Sequence, residues 1–172
     1  MTALIRIDGS WTTETAEGPK PIRFCTRCGQ PAEEPPGRPD DDLQGRVCEE
    51  CGLGVMLACP RDALPGARAA FLIATFELKI SAVSDGGEAL FGSEQMLAGT
   101  PVLDVLTSPV GDDRLARHVS LAAQRACEAV VLPVRLRTWD AERLGTMAAR
   151  VATCGPPRAA LVTVEPTKFG RR

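Results

Sequence analysis

Two matched pairs of cysteines constrain this chain more than any other feature of its sequence. Cys25 and Cys28 enclose two residues, Cys48 and Cys51 do the same, and 19 residues separate the pairs. This spacing is typical of a tetrahedral zinc site built from two halves. A glycine follows each pair, and glycine accepts the positive φ with which a tight turn directs backbone N–H groups toward the sulfurs. The sequence therefore predicts one site with four cysteine ligands.

The four thiolate ligands also indicate what the metal does. They leave no coordination position open for water or substrate, so we expect the ion, Zn2+, to be structural rather than catalytic. Residues 31–42, between the pairs, contain four prolines and five acidic residues, and a loop of this composition buries little apolar surface. We therefore expect the metal to hold residues 1–54 together, and this segment resembles a zinc ribbon.

Two alternatives use the same cysteines. A rubredoxin-type iron centre has the same four ligands, so the spacing leaves zinc and iron both open. Two redox-active C-x-x-C pairs, or two disulfides, are the other alternative. A thioredoxin-like centre has one such pair at the start of a helix that follows a strand. This chain has two copies, each followed by glycine, and metal binding is therefore favoured.

Composition and charge limit the location and the partners. No apolar run approaches the roughly 20 residues that span a bilayer, and the N-terminus lacks a basic segment followed by an apolar one. We expect a cytoplasmic protein without membrane contact, where an odd number of cysteines, seven, fits metal binding better than disulfides. Residues 1–55 carry 6 Lys/Arg against 10 Asp/Glu, which disfavours a nucleic-acid partner.

Apolar patterning predicts the secondary structure. Leu53–Cys59 is predicted to be a short helix that ends at Pro60 and packs on the sheet or on a second copy. The other predicted elements are an edge strand Leu4–Ile7, hairpin strands Ala70–Phe76 and Lys79–Val83, short helices Glu88–Phe91, Ser93–Leu97 and Val102–Leu106, a long helix over 113–128, and strands Val130–Arg137, Arg143–Thr153 and Ala159–Glu165. Pro133 places its strand at a sheet edge or a bulge. This order predicts an α+β fold, with helices covering one side of a five-stranded antiparallel sheet.

The residues from Phe71 to Gly92, followed by Leu97 to Leu106, resemble a PAS sensory domain. Families of this type have a hydrophobic strand, a short turn, a second strand, Asn or Ser, a short helix ending in Phe-Gly, and then Leu-x-Gly-x-Pro. Ser84 stands where Asn is more usual. The resemblance covers residues 65–165 approximately. Together with the resemblance to a zinc ribbon, it predicts an N-terminal tail and ribbon in residues 1–54, a PAS-like five-stranded domain in residues 55–166 and a C-terminal tail in residues 167–172.

The resemblance also raises the question of a cofactor. PAS proteins that bind haem commonly use a histidine of the long helix as axial ligand, and His118, the only histidine, lies on that helix. A partly exposed helix histidine without a ligand is the alternative. A small molecule in the cavity between sheet and helices stays open as well. Covalent flavin photochemistry is excluded because residues 88–110 contain no cysteine.

The remaining cysteines and a group of arginines have simpler interpretations. Cys59, Cys127 and Cys154 are expected to be small buried side chains, and Cys59 has an accessory role near the metal as its alternative. Four arginines are expected on or between the last strands, either as solvated positions or as a basic stripe for an acidic partner; they are Arg135, Arg137, Arg143 and Arg150.

The sequence indicates a function without catalysis. It has no Ser/His/Asp set, phosphate-binding glycine motif or nucleotide fingerprint, and with one histidine no nucleophile has an evident base. We expect a non-enzymatic sensor or adaptor in signal transduction that acts by protein–protein contact and forms a homodimer through Leu53–Cys59. The competing hypothesis is a transcription regulator whose ribbon contacts DNA or RNA polymerase, and salt-sensitive DNA binding would distinguish it.

Overall fold

A computed structural model of the protein describes residues 21–32, 47–124, 127–137 and 141–167. It also describes the backbone alone of residues 4–7 and 10–13, and of Ala141 and Glu142 within a helix. Three predictions lie outside these ranges: most of the acidic, proline-rich segment, Ala126 of the long helix, and residues 168–172 of the tail.

The secondary structure begins with short strands and continues with mixed helices and strands. The strands are β1 Leu4–Ile7, β2 Ser10–Thr13, β3 Ile22–Cys25, β4 Pro31–Ala32, β5 Met56–Cys59, β6 Ala70–Ala74, β7 Ile80–Val83, β8 Leu106–Thr107, β9 Val130–Leu136, β10 Met147–Cys154 and β11 Ala159–Pro166. The helices are α1 Asp85–Phe91, α2 Glu94–Leu97, α3 Val102–Val105, α4 Asp112–Gln124 and α5 Ala141–Leu144, and Arg61–Ala63 forms a 3-10 turn. None of the described helices is long and apolar enough to span a membrane.

One antiparallel sheet organises residues 70–166. Its strand order is β7-β6-β11-β10-β9-β8, so β6 and β11 are neighbours although they are far apart in sequence. The helices pack on one face, where α4 buries Leu115, Val119 and Ala122 as its spacing predicts. The α+β class is thus confirmed, with a sixth, two-residue strand, β8, added to the five that were expected.

The opposite face of the sheet is also covered. A three-stranded sheet of order β4-β3-β5 packs against β6, and the rings of Phe24 and Phe71 meet edge to face with centroids 5.8 Å apart. A second buried cluster fills this interface; it comprises Phe24, Leu57, Cys59, Phe71, Ile73, Cys154, Ala159 and Leu161. Because side chains alternate along a strand, Phe71 faces the small sheet while Leu72 faces the helices.

The helix predicted over Leu53–Cys59 is wrong. Residues 56–59 are a strand, β5, in register with β3, so that Cys59 lies opposite Ile22 and Met56 opposite Cys25. A short apolar run cannot be assigned to helix or strand by periodicity alone, and here the neighbouring strand supplies the hydrogen-bond partners. The segment packs on the sheet of its own chain, which was one of the two expected placements.

Several element boundaries differ from the predictions. The long helix predicted over 113–128 runs from Asp112 to Gln124, and residues 127 and 128 are not helical. The strand predicted from Arg143 starts at Met147, because residues 141–144 form α5 and Gly145, at φ 67°, redirects the chain. The first short helix starts at Asp85 rather than Glu88. Gly86 and Gly87 lie in its first turn. The close approach of this turn to β6 requires glycine, because a Cβ on Gly87 would come within 2.7 Å of the Phe71 carbonyl oxygen.

Pro133 lies in a strand that is flanked by β10 and β8, so β9 as a whole is not the edge of the sheet, but no described strand pairs with β9 at Pro133 on the side away from β10. β10 pairs with one side of β9 and places Ala148 opposite Pro133. On the other side β8 reaches only Leu136 and Arg135. Beside Pro133 itself, among the described residues, the Ser108 hydroxyl donates to the proline carbonyl oxygen at 2.7 Å. The missing N–H of proline therefore costs no ladder hydrogen bond.

Ser84 joins the start of α1 to β6. Its hydroxyl donates to the Ala69 carbonyl oxygen at 2.8 Å and accepts from the Phe71 N–H at 3.0 Å and the Gly87 N–H at 2.9 Å. The residue is 1% exposed, so water cannot replace these partners. The hydroxyl thus caps the helix and closes a gap between two segments of backbone.

We predict that Ser84→Ala lowers the free energy of unfolding by about 3 kcal/mol, because it removes a helix cap and leaves buried backbone groups unpaired. Urea denaturation measures the change. Ser93→Ala is the matched control, since Ser93 also precedes a helix but makes no side-chain cap hydrogen bond. Equal losses in the two variants would contradict this role for Ser84.

Candidate metal centre

The structure brings the four predicted cysteines together. The Sγ atoms of Cys25, Cys28, Cys48 and Cys51 all lie within 4.8 Å of one another. The Cys25–Cys51 and Cys28–Cys48 separations are 3.6 and 3.8 Å. A tetrahedral ion with Zn–S bonds of about 2.3 Å places its sulfurs roughly 3.8 Å apart. The donor set and its spacing therefore fit one tetrahedral ion such as zinc, and iron fits equally.

Each cysteine pair lies on a tight turn of the same design. The Gly29 N–H donates to the Cys25 carbonyl oxygen at 3.0 Å, and the Gly52 N–H donates to that of Cys48 at 2.8 Å. Gly29 and Gly52 have φ values of 73° and 68°. The positive φ predicted for the glycine after each pair is therefore confirmed, and it lets the chain reverse immediately after the second ligand.

Backbone N–H groups point at the sulfurs. Cys25 Sγ accepts from the N–H groups of Arg27 and Cys28 at 3.3 and 3.4 Å, and Cys51 Sγ accepts from Gly54 at 3.4 Å. Such donors stabilise thiolates and orient them for a metal. Thr26 then ties the first turn to the chain entering β5, since its N–H and hydroxyl pair with the carbonyl and N–H of Val55.

The thiols differ strongly in acidity. Hydrogen bonds from the backbone of Leu53 and Gly54 lower the pKa of Cys51 to about 6, whereas burial raises the pKa of Cys25 to about 12. Burial also raises the pKa of Cys28. At neutral pH a cation entering the metal-free site therefore meets the Cys51 thiolate first and must displace protons from Cys25 and Cys28. Metal affinity consequently falls as the pH falls.

Gly54 is a site residue that sequence reasoning missed. It is buried, and a Cβ there would overlap Cys25 Sγ and come within 2.9 Å of the Arg27 backbone nitrogen. The two turns can therefore meet only where one of them carries no side chain. The Gly-Leu-Gly sequence after Cys51 was a weak signal, but the contact joins residues 29 positions apart in sequence.

We predict that Gly54→Ala weakens metal binding at least tenfold, because its methyl group forces Cys25 Sγ away from the other sulfurs. Competition with a chromogenic zinc chelator measures the affinity. Gly66→Ala is the control, since no atom lies within 4 Å of a Cβ at that exposed position. Unchanged zinc affinity in Gly54→Ala would contradict the tight convergence of the turns.

Arg27 connects the metal-binding turn to the larger sheet domain. It lies between two of the cysteines, and its guanidinium donates to the Glu88 carboxylate of α1 through both terminal nitrogens, at 3.0 and 3.5 Å. It also pairs with Asp85 at 2.5 Å, while the Arg27 carbonyl oxygen accepts from the Asp85 N–H at 2.9 Å. Glu88 in turn accepts from the Glu94 N–H at 2.8 Å, at the start of α2. Sequence reasoning missed this link.

We predict that Arg27→Ala destabilises the junction by about 1–2 kcal/mol, a value kept small because Arg27 and its partners are partly exposed. Metal stoichiometry should persist, because the N–H that contacts Cys25 belongs to the backbone. Hydrogen exchange should rise in α1 and in residues 25–29. Arg114→Ala removes an exposed arginine of α4 as the charge-matched control, and equal exchange in both variants would contradict the link.

The structure places His118 away from the face that the helices share with the sheet. α4 turns Leu115 and Val119 inward, while His118 is partly buried and lines a concavity of about 910 Å3. The described lining comprises Asp113, Arg114, Arg117, His118 and Leu121. An axial haem ligand in the core between the sheet and the helices would have to lie on the inward face. The haem assignment stays a prediction, and the described geometry offers it no support.

The remaining residues considered in the sequence are three cysteines and four arginines. Cys59 and Cys154 are buried, as expected, and Cys127 is partly buried. Three of the arginines have partners: Arg135 donates to Thr146, Arg137 pairs with Asp112, and Arg150 donates to the Asp62 carbonyl oxygen. These contacts favour a structural role for the arginines over a free basic stripe.

Comparison with models of protein families finds no match to this chain, and comparison with curated proteins finds none either.

Proposed function

We propose that this protein is a non-enzymatic signalling sensor or adaptor, in which a zinc ribbon is joined to a PAS-like domain and the output passes to another protein by direct contact. The observation that carries the proposal is the double attachment of the ribbon. It packs on the outer face of the sheet through Phe24 and Phe71, and it holds α1 through Arg27. A conformational change in either unit would therefore alter the contacts that join it to the other.

The PAS-like assignment is supported by the order of elements and by the turn chemistry. Two strands, three short helices, one longer helix and three strands follow one another over residues 70–166, apart from the additions β8 and α5. Ser84 occupies the position after the second strand and caps α1, Phe91 is buried at the end of that helix, and Gly92 follows at φ 112°. Gly99 of the Leu-x-Gly-x-Pro segment has φ 82°.

Structural zinc is the metal that we propose for the four-cysteine site. Its chemistry here would be to cross-link Cys25 and Cys28 on one turn to Cys48 and Cys51 on the other. Four protein ligands leave no position for a reacting group. The cross-link would keep β3 and β5 together and so keep the ribbon seated on the sheet.

A signal in such a protein would be a shift between two conformations. A ligand held between sheet and helices would act only if it bound one conformation more tightly. The route from that space to the ribbon would run through α1, since Glu88 contacts both Arg27 and the start of α2. The Arg27→Ala variant interrupts this route whatever the ligand is.

Only one end of the segment 53–59, through which the homodimer is predicted to form, is exposed enough to contact a second copy. Met56, Leu57 and Cys59 are buried within the chain and cannot meet a second copy. Leu53 and Val55 are 76% and 43% exposed, and Val47, which bridges Val55, is 58% exposed. We propose that these three residues form the apolar contact between two copies.

We predict that native mass spectrometry of protein purified from cells shows a dimer with one zinc ion per chain. The double variant Leu53→Asp/Val55→Asp should be a monomer with zinc retained, because charges replace the apolar contact while the ligands are untouched. Met96→Asp is the control, since Met96 is 79% exposed on α2 and should leave the dimer intact. Light scattering at tens of micromolar provides the second measurement.

Three results would contradict the proposal in different ways. A strict monomer would remove the homodimer but leave the adaptor role. A folded ribbon without any metal would remove structural zinc. Salt-sensitive DNA binding in a gel-shift assay would favour the transcription-regulator hypothesis instead.

A further inference from the structure

Two buried cysteines outside the metal centre face each other across the junction of the ribbon and the large sheet. Cys59 ends β5 and is 2% exposed, and Cys154 ends β10 and is 3% exposed. Both belong to the buried cluster between the two sheets. Neither contributes a sulfur to the four-cysteine cluster, and neither has a part in the proposed function.

The backbone register places the two residues opposite each other. Ala58 and Gly155 form an antiparallel bridge, with the Ala58 N–H donating to the Gly155 carbonyl oxygen at 2.6 Å and the Gly155 N–H donating back at 3.0 Å. In an antiparallel pair the next residue of one strand lies opposite the preceding residue of the other, so Cys59 lies opposite Cys154. β9 pairs with β10 only as far as Val151, which leaves this part of the β10 edge to β5.

This position has the geometry that a disulfide needs. The position next to a reciprocally bonded antiparallel pair is a non-hydrogen-bonded pair, in which the Cα atoms lie about 4.5 Å apart and the side chains leave the sheet on the same face. Disulfides join residues with Cα atoms roughly 4.4–6.8 Å apart. The shared apolar cluster places both side chains on that face.

The surroundings explain why the two thiols are stable until an oxidant is present. Burial raises the pKa of Cys59 to about 12, with the charge of Asp62 adding to the effect. Burial likewise raises the pKa of Cys154 to about 12, with Cys59 as the second cause. Both groups are thiols at neutral pH, so their reaction is slow and depends on local opening of the junction.

We propose that Cys59 and Cys154 form an oxidative cross-linking site that joins the ribbon covalently to the large sheet. The oxidant is a small disulfide. The thiolate of one cysteine attacks it and releases one thiol, and the thiolate of the other cysteine then attacks the protein sulfur of the mixed disulfide and releases a second thiol. Two protein thiols are oxidised while one small disulfide is reduced, and two protons are lost from the cysteines and taken up by the released thiolates.

The cross-link would fasten β5 to β10 by a bond that does not depend on the metal. In the reduced protein, by contrast, the ribbon is seated by noncovalent contacts and by its ion. Oxidation should therefore leave the β5–β10 junction protected after the metal is removed.

The full-length, zinc-loaded protein is incubated with 2-hydroxyethyl disulfide at mildly alkaline pH, denatured in an alkylating agent, and digested with trypsin without reduction. Cleavage at the arginines places Cys59 in the peptide 47–61 and Cys154 in the peptide 151–158. We expect these peptides to be disulfide-linked. Cys127→Ala should retain the link, and after chelation the oxidised wild type should keep slower hydrogen exchange in residues 56–59 than the reduced protein.

The peptide 47–61 also contains Cys48 and Cys51, whereas Cys154 is the only cysteine of the peptide 151–158, so the variant Cys59→Ala decides which sulfur is joined. Loss of the link in Cys59→Ala supports the proposal. A link that persists in Cys59→Ala would mean that a metal ligand had reacted and would overturn it. Wild-type protein that yields only mixed disulfides with the reagent would overturn it as well, without any need for the variants to fold.

Discussion

The convergence of two backbone turns on four sulfur atoms is the constraint on which the small three-stranded sheet depends. Each turn is closed by its own glycine, and the turns meet where Gly54 lies against Cys25. β3 leads into the first turn and β5 leaves the second. Fixing the sulfurs therefore fixes the pairing of these strands, which then presents Phe24 and Leu57 to the outer face of the large sheet. The geometry of the four cysteines thus determines where the small three-stranded sheet lies on the large one.

The large sheet is buried on two faces, and the inner strands β6 and β11 send alternate side chains into two separate apolar clusters. Along β6, Leu72 and Ala74 face the helices, while Phe71 and Ile73 face the ribbon. Along β11, Val162 and Leu161 divide in the same way. Strands covered on both sides read as continuous apolar runs instead of alternating ones. The run Ala70-Phe-Leu-Ile-Ala74 has this character, and the second covering layer is its physical cause.

Sequence predicted features that depend on local chemistry and missed those that depend on distant partners. The cysteine spacing, the positive φ of the following glycines and the inward stripe of α4 all arise within a few residues, and these predictions are confirmed. Residues 53–59 were expected to be helical, but 56–59 form a strand because β3, some 30 residues earlier, offers an edge to pair with. The Arg27–Glu88 contact spans 61 residues, and no local pattern marks it. The PAS-like assignment stays a prediction because the described sheet and helices establish only the α+β class. The partners and the role of His118 stay predictions because they depend on molecules other than this chain.

The way Ser84 and the two glycines after it are arranged limits how α1 can move. The hydroxyl uses its single proton and accepts two hydrogen bonds, and Gly86 and Gly87 press the backbone of the first turn against residues 68–71. Sliding of the helix along its axis would break all of these contacts at once. Tilting about the first turn would keep these hydrogen bonds but would pull the buried Phe91 ring out of the core beneath the helices. The helix is therefore held at both ends, by hydrogen bonds at its start and by a buried aromatic ring at its last residue, and any movement of α1 has to carry part of the core with it.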